Sequence, residues 1–304
     1  VGFARTTFRE YFRHRQWTIG LVRAPIHRFL EKGFRPDVEW IRVPSREEYL
    51  ADPFGMVRDG RLSILCERYD RRTGKGTLIA FDWPAVGQEP NPGVALPVDH
   101  HASYPFLLEW EGRVFCVPET YGAGEIRLYE ATSFPHGWTQ VATLVPGFPG
   151  VDTSMFRFED RWWLCSTHAD APDRRLFIWY ADRPEGPWTP HARSPVKDDL
   201  SSARSAGTPF VWGGTLHRPA QDCSKTYGGR VMINAVDRLT PEEFEEHVAA
   251  VVNPDPHGPR PLGLHTLSAV GEMTLIDGFR DVFSWSAFRK RLGMGFLGRL
   301  LRGS

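Results

Sequence analysis

Three segments of this 304-residue chain align with one another without a gap. They are Ala51-Asp52-Pro53-Phe54-Gly55-Met56-Val57-Arg58-Asp59-Gly60-Arg61, Ser103-Tyr104-Pro105-Phe106-Leu107-Leu108-Glu109-Trp110-Glu111-Gly112-Arg113, and Val151-Asp152-Thr153-Ser154-Met155-Phe156-Arg157-Phe158-Glu159-Asp160-Arg161. A fourth, weaker copy starts at Ala206 and runs through Thr208-Pro209-Phe210-Val211-Trp212-Gly213-Gly214. Each copy is an apolar stretch, a tight turn and a second apolar stretch, which is a β-hairpin pattern. Eight residues after the anchors Asp52, Tyr104, Asp152 and Ala206 stand the turn residues Gly60, Gly112, Asp160 and Gly214. Fifteen residues after them stand Glu67, Glu119, Thr167 and Gln221, so the phase is kept through the second strand.

The anchors are 52, 48 and 54 residues apart, near the ~40–50 residues of a four-stranded propeller blade. Two further strands are expected after each hairpin, such as Glu125-Ile126-Arg127-Leu128-Tyr129-Glu130 and residues 138–145 in the second unit, or Arg175-Leu176-Phe177-Ile178-Trp179-Tyr180-Ala181 in the third. The fourth unit is expected to finish with residues 230–236 and a strand or short helix near 242–252, and a fifth must come from residues 262–283. Residues 39–43 are expected to close the ring, which removes an exposed sheet edge. The expected fold is therefore all-β, a five-bladed β-propeller over 38–285, with a helical N-terminal extension over 1–37 and a basic amphipathic C-terminal tail over 286–304. Within the extension, residues 8–30 are expected as one or two short helices broken at Pro25.

Composition agrees. The 25 Pro and 29 Gly oppose a helical bundle, and 41% hydrophobic residues with 11 Trp supply a sizeable core. Lys plus Arg equals Asp plus Glu at 37 each, so no overall field draws nucleic acid and a neutral ligand is expected. Cys66, Cys116, Cys165 and Cys223 lack metal-ligand spacing and read as reduced core residues of a cytosolic protein. The tail carries Arg289, Lys290, Arg291, Arg299 and Arg302 beside Phe288, Leu292 and Phe296. It is expected to pack on the propeller or a neighbouring domain, with peripheral membrane contact as the alternative. No loop of the P-loop or dinucleotide type is present, so no cofactor is expected, and no zinc-type His pair is either.

In a propeller the inner strands from distant parts of the sequence converge on one channel. Asp52 and Asp152 then face one pocket, joined by Glu67 and Glu119 from the second strands. Glycosidic cleavage needs one carboxylic acid and one carboxylate, which such a pocket supplies. Each residue also has a structural reading, since Asp at a strand start often caps a turn and Glu67 can pair with Arg68. His101, Tyr104, His168, Arg204, Arg218 and Asp222 are further candidates for substrate contact, the arginines suiting an anionic group or neutralising the carboxylates. Trp17, Trp162, Trp163 and Trp212 are core candidates first and sugar platforms second.

The segments Ala51-Asp52-Pro53-Phe54-Gly55, Tyr104-Pro105-Phe106, Val151-Asp152-Thr153 and Arg218-Pro219-Ala220-Gln221-Asp222-Cys223 resemble the N-terminal domain of plant glucosamine inositolphosphorylceramide transferases and related bacterial proteins. That domain is similar in turn to glycoside hydrolase family 43. The resemblance spans residues 17–279 and implies five blades and an inverting mechanism. It implies an Asp base in the first blade, matched by Asp52, and an Asp in the third that tunes and orients the acid, matched by Asp152. The implied Glu acid at the start of the fourth blade is absent, because Arg204-Ser205-Ala206-Gly207 stands there. Two expectations follow. Either Glu119 replaces the acid and the domain acts on a glycoside or glycosyl conjugate, or the domain is a noncatalytic glycan- or glycolipid-binding module serving a glycosylation system.

Overall fold

The computed structural model describes residues 13–43, 45–83 and 91–283, which form five antiparallel sheets. The chain opens with β1 (Arg13–Val22), a single 3-10 turn (Ile26–Leu30) and β2 (Val38–Trp40). The first blade holds β3 (Glu48–Arg58), β4 (Arg61–Asp70), β5 (Lys75–Asp82) and β6 (Gly93–Leu96). The second holds β7 (Ser103–Trp110), β8 (Arg113–Glu119), β9 (Ile126–Ser133) and β10 (Gly137–Val145). The third holds β11 (Gly150–Phe158), β12 (Arg161–His168), β13 (Arg175–Ala181) and two-residue strands β14 (Thr189–Pro190) and β15 (Lys197–Asp198). The fourth holds β16 (Phe210–Trp212), β17 (Thr215–Asp222), β18 (Arg230–Leu239) and β19 (Phe244–Val252), and the chain ends in β20 (Leu267–Val270) and β21 (Met273–Phe283).

Ring closure differs from the sequence expectation. The fifth sheet runs β2-β1-β21-β20, so the propeller begins at Arg13 and not at residue 38. Residues 13–22, expected as helix, pair in register with β21 from Arg13↔Phe283 to Val22↔Thr274. Only the 3-10 turn remains of the expected helices among the described residues. The physical reason is burial on both faces. From Gln16 to Val22 every residue is buried, because β1 lies inside a sheet packed between two neighbouring blades, and such a strand loses the alternation that identifies strands. The C-terminal tail lies outside the described residues. Among the described residues no helix is long and apolar enough to cross a membrane.

Apolar clusters fill the wedges between blades. Phe54, Phe106, Phe115, Met155 and Trp162 join the first three blades. Ile19, Leu275, Leu50 and Ile64 lock the fifth blade to the first, and Ile276, Leu267, Val231 and Ile233 lock it to the fourth. Cys66, Cys116 and Cys165 are buried free thiols and Cys223 is a half-buried one. The axis is plugged by Tyr104, whose hydroxyl accepts the Gly207 N–H at 2.6 Å and reaches Ser154 Oγ at 2.9 Å. Gly207 sits at φ +115, and a Cβ there would overlap the Leu267 carbonyl. Only glycine lets the fourth and fifth blades approach this closely.

Candidate functional site

The repeated anchors share a backbone feature. The ladders skip between Ala51 and Phe54, Ser103 and Phe106, and Val151 and Ser154. At each bulge the anchor is left-handed: Asp52 at φ 52, Tyr104 at φ 43 and Asp152 at φ 46. Non-glycine residues rarely adopt this region, at a cost of ~1–3 kcal/mol each when the surroundings hold them there. The bulge re-aims one side chain per inner strand, and in the first and third blades that side chain is a carboxylate.

Around these anchors gather Asp52, Glu67, Glu119, Asp152 and Asp277, all at most 5% exposed. Asp52 Oδ1 accepts the Thr266 hydroxyl at 3.2 Å, and Oδ2 has no hydrogen-bond partner among the described residues. Burial first, and then the charges of Asp152 and Asp277 against the pull of His265 and Arg204, push Asp52 up to about 7. Burial also drives Glu67 and Glu119 well above the ordinary carboxylate range, aided by neighbouring carboxylates. Both carboxyls are therefore harder to ionise than a solvent-exposed glutamate. Glu119 Oε1 accepts the Ser103 hydroxyl at 3.0 Å, and Oε2 accepts the Asp152 backbone N–H at 2.9 Å. Asp152 Oδ2 takes Arg204 Nε at 2.6 Å and Gln221 Nε2 at 2.7 Å. Arg204 continues to Asp173 at 2.9 Å and lies over the Tyr227 ring.

His101 stands beside Glu67, with Nε2 at 3.6 Å. The Gly76 N–H donates to His101 Nδ1, which fixes the ring proton on Nε2, facing the carboxyl. Gly76 is required, because a Cβ there would overlap Glu67 Oε1. Opposite, Asp277 Oδ1 accepts the His265 and Thr266 N–H groups, and Oδ2 accepts His265 Nδ1 at 2.6 Å and the Asp52 N–H at 3.2 Å. Burial opposes charge on His265, but Asp277 and Asp52 outweigh it and raise the imidazole. The ring stacks on Trp17 at 3.9 Å. Ligand atoms of Asp52, His265 and Asp277 lie within 4.8 Å of one another, a spacing a metal could span. Yet Asp277 already accepts two N–H donors on each oxygen, so the trio fits an internally satisfied brace better than a metal cage.

Several expected contacts are elsewhere. Arg218 is 1% exposed and makes a bidentate pair with Glu246, its Nη1 and Nη2 also bonding the Ala203 and Ser202 carbonyls. Gln221 is the residue of β17 that reaches Asp152, and Arg218 lies three residues, roughly 10 Å, back along the strand. Asp222 follows Gln221 and so points to the opposite face, where it binds Ser224 and Arg230. Tyr104 is fully buried in the plug. His168 bonds the Asp170 N–H and packs on Phe148 at the end of β12. Trp162 and Trp163 are core, and Trp212, 51% exposed, stacks on His27 outside the channel. Sequence reasoning missed His265, Asp277, Tyr227 and the role of Gln221. The available signal was Asp277 inside the apolar run Leu275-Ile276-Asp277-Gly278-Phe279, since a charge in such a run is paired when buried.

The family described as "Glucosamine inositolphosphorylceramide transferase 1, N-terminal" matches residues 39–258. The chain belongs to this family. Glucosamine inositolphosphorylceramide transferase 1 of Oryza sativa subsp. japonica is 35% identical over 205 residues, and that of Arabidopsis thaliana 32% over 211. These alignments cover 65% and 67% of this chain but 27% of either relative, so the chain spans about a quarter of their length. A family 117 glycoside hydrolase of Zobellia galactanivorans superposes with TM-score 0.53 at 16% identity, covering 91% of this chain and 92% of that one. An α-L-arabinofuranosidase of Podospora anserina gives TM-score 0.56 at 11% identity, covering 76% and 80%. These two share the fold. The chain is thus a five-bladed propeller that shares its fold with these glycoside hydrolases and belongs to the family of the transferase N-terminal domain.

Proposed function

We propose that the axial pocket binds a glycoside or glycosyl conjugate and acts on it by acid–base chemistry. The observation that supports this reading is a pair of raised carboxyls in one buried cluster: Asp52, pushed up to about 7, stands with Glu119, which burial drives well above the ordinary carboxylate range. A base works best near the operating pH, and an acid must still hold its proton there. Asp52 is the base, Glu119 the acid, and Asp152, gripped by Arg204 and Gln221, the orienting carboxylate. Glu67 and His101 are placed to contact hydroxyls beside Asp52. The name of the transferase relatives makes a glycolipid conjugate the first substrate class to try.

One observation favours a second reading. Arg204, in the fourth-blade segment where the resemblance calls for a general acid, pairs with Asp152, which suits a noncatalytic glycan-binding module. A turnover assay over glycosides and glycosyl conjugates with the wild type and Asp52→Asn separates the two. Saturable hydrolysis or transfer falling ~10²–10⁴-fold in the variant is the expected result. Glycan binding without turnover in either protein rejects the acid–base reading and leaves the binding module.

A further inference from the structure

Glu67 and Tyr69 stand two residues apart on β4 and so share one face of the strand, with Tyr69 about 7 Å nearer its end. Glu67 is buried and Tyr69 half-buried, so this end of the strand leads from the carboxyl cluster out to solvent. Across the ladder Tyr69 pairs with Tyr49 on one side and Gly76 on the other. The Tyr49 and Tyr69 rings stack at 4.8 Å with 9° between their planes. Burial, and then the charges of Glu67 and Asp52, push the Tyr49 phenol well above its ordinary range, in keeping with a place beside the carboxyls.

Gly76 leaves open the space that His101 fills, since a Cβ there would lie 2.7 Å from the His101 Cε1. The His101 ring meets Tyr69 at 6.3 Å and 64°, and Tyr121 at 5.9 Å and 43°. Tyr121 reaches this row because it follows the buried Glu119 by two residues, in the short 3-10 turn Tyr121–Ala123. Four rings thus run from the inner strand of the first blade across to the second, and the row ends on Tyr121, which is 42% exposed. A sugar unit seated at Asp52 and touching Glu67 and His101 leaves Tyr121 to whatever extends beyond it.

We propose that Tyr69, His101 and Tyr121 form a platform for a second sugar unit, so that the axial pocket takes an oligosaccharide, or a conjugate whose glycan has at least two units, in preference to a lone monosaccharide. The inference rests on the reading of that pocket as a glycoside site. A pyranose presents a face of weakly positive C–H groups, which suits the negative face of an aromatic ring, and a rim of hydroxyls, which needs polar partners at the ring edges. Here the edges are supplied by the tyrosine hydroxyls, the Glu67 carboxyl and the proton on His101 Nε2. The platform is made of tyrosine and histidine, while the tryptophans of the second strand of the third blade are spent on the core.

Calorimetric titration of the full chain with paired probes tests this: methyl glucoside and cellobiose, methyl xyloside and xylobiose, methyl galactoside and galactobiose, methyl mannoside and mannobiose. In at least one pair the disaccharide is expected to bind about tenfold more tightly than the methyl glycoside. Tyr121→Ala should bring that ratio near one and Tyr121→Phe should keep it, while Trp212→Ala, an exposed aromatic of the fourth blade outside the channel, should leave it unchanged. Thermal unfolding verifies that Tyr121→Ala folds, and the wild-type ratio stands as a test without it. Binding of no probe, no disaccharide preference in any pair, or a preference that survives in folded Tyr121→Ala overturns the proposal. Turnover is read separately: a preference for disaccharide without turnover keeps the platform and rejects the acid–base reading, and turnover without the preference does the reverse.

Discussion

The inner strands of the first three blades run 11, 8 and 9 residues, each bulged at an anchor held left-handed, whereas the fourth has only three residues, Phe210–Trp212. In the first and third blades the bulge aims a carboxylate at the axis. In the fourth, Gly207 brings backbone there instead, bridging to Leu267 and holding the Tyr104 hydroxyl, and Arg204 follows with a cation. The acid-bearing blades and the cation-bearing blade are thus complementary: Arg204 and Gln221 from the fourth hold the Asp152 of the third. A repeat that keeps its phase can still change its chemistry where one copy replaces a side chain by a close backbone contact.

The comparison breaks most sharply at Gly207. Gly207→Ala sets a methyl against the Leu267 backbone at a φ that only glycine tolerates, and a loss of more than about 4 kcal/mol in urea unfolding is expected. A loss below about 1 kcal/mol would show that the fourth-blade contact is slack.

Arg204→Met comes next. It leaves Asp152 buried without its cation, at a cost of about 3 kcal/mol at neutral pH. Adding Asp152→Asn should restore much of this, and purely additive losses in the double-mutant cycle would argue that the third and fourth blades are not coupled through this pair.

The smallest effect, read per pH unit, sharpens the acidic side. The Asp52 pKa is 3.8 unperturbed and about 7 in the fold, so the folded state binds the extra proton between these values. Its contribution is full below pH ~4, falls as pH rises, and is lost by pH ~7. Asp52→Asn cannot ionise. Its stability relative to wild type should therefore climb by about 1.4 kcal/mol per pH unit between these two values in denaturant titrations. A flat difference would mean that Asp52 ionises as easily as in water.

How much of this was legible before the structure depended on local pattern. The hairpins showed because Asp59-Gly60, Glu111-Gly112 and Gly213-Gly214 mark turns that the structure builds with positive φ. β1 did not show, since a strand buried on both faces carries no alternation, and a proline at residue 25 favoured a broken helix. Asp52, Asp152, Glu67 and Glu119 were found together because equal phase in a ring means equal radius. Arg218 and Asp222 were misplaced because a motif in one strand does not say which residue lies at the axial end. His265 and Asp277 escaped because the fifth copy is too divergent to align.

By itself the sequence determined four of the repeats, their period and the polar residues at matching phase, for these follow from turn chemistry and strand periodicity within each unit. Only the tertiary structure decided which strand closes the ring, which carboxyls are harder to ionise and where the arginines go. Burial and charge–charge coupling depend on groups hundreds of residues apart, and no local pattern encodes a distance between them.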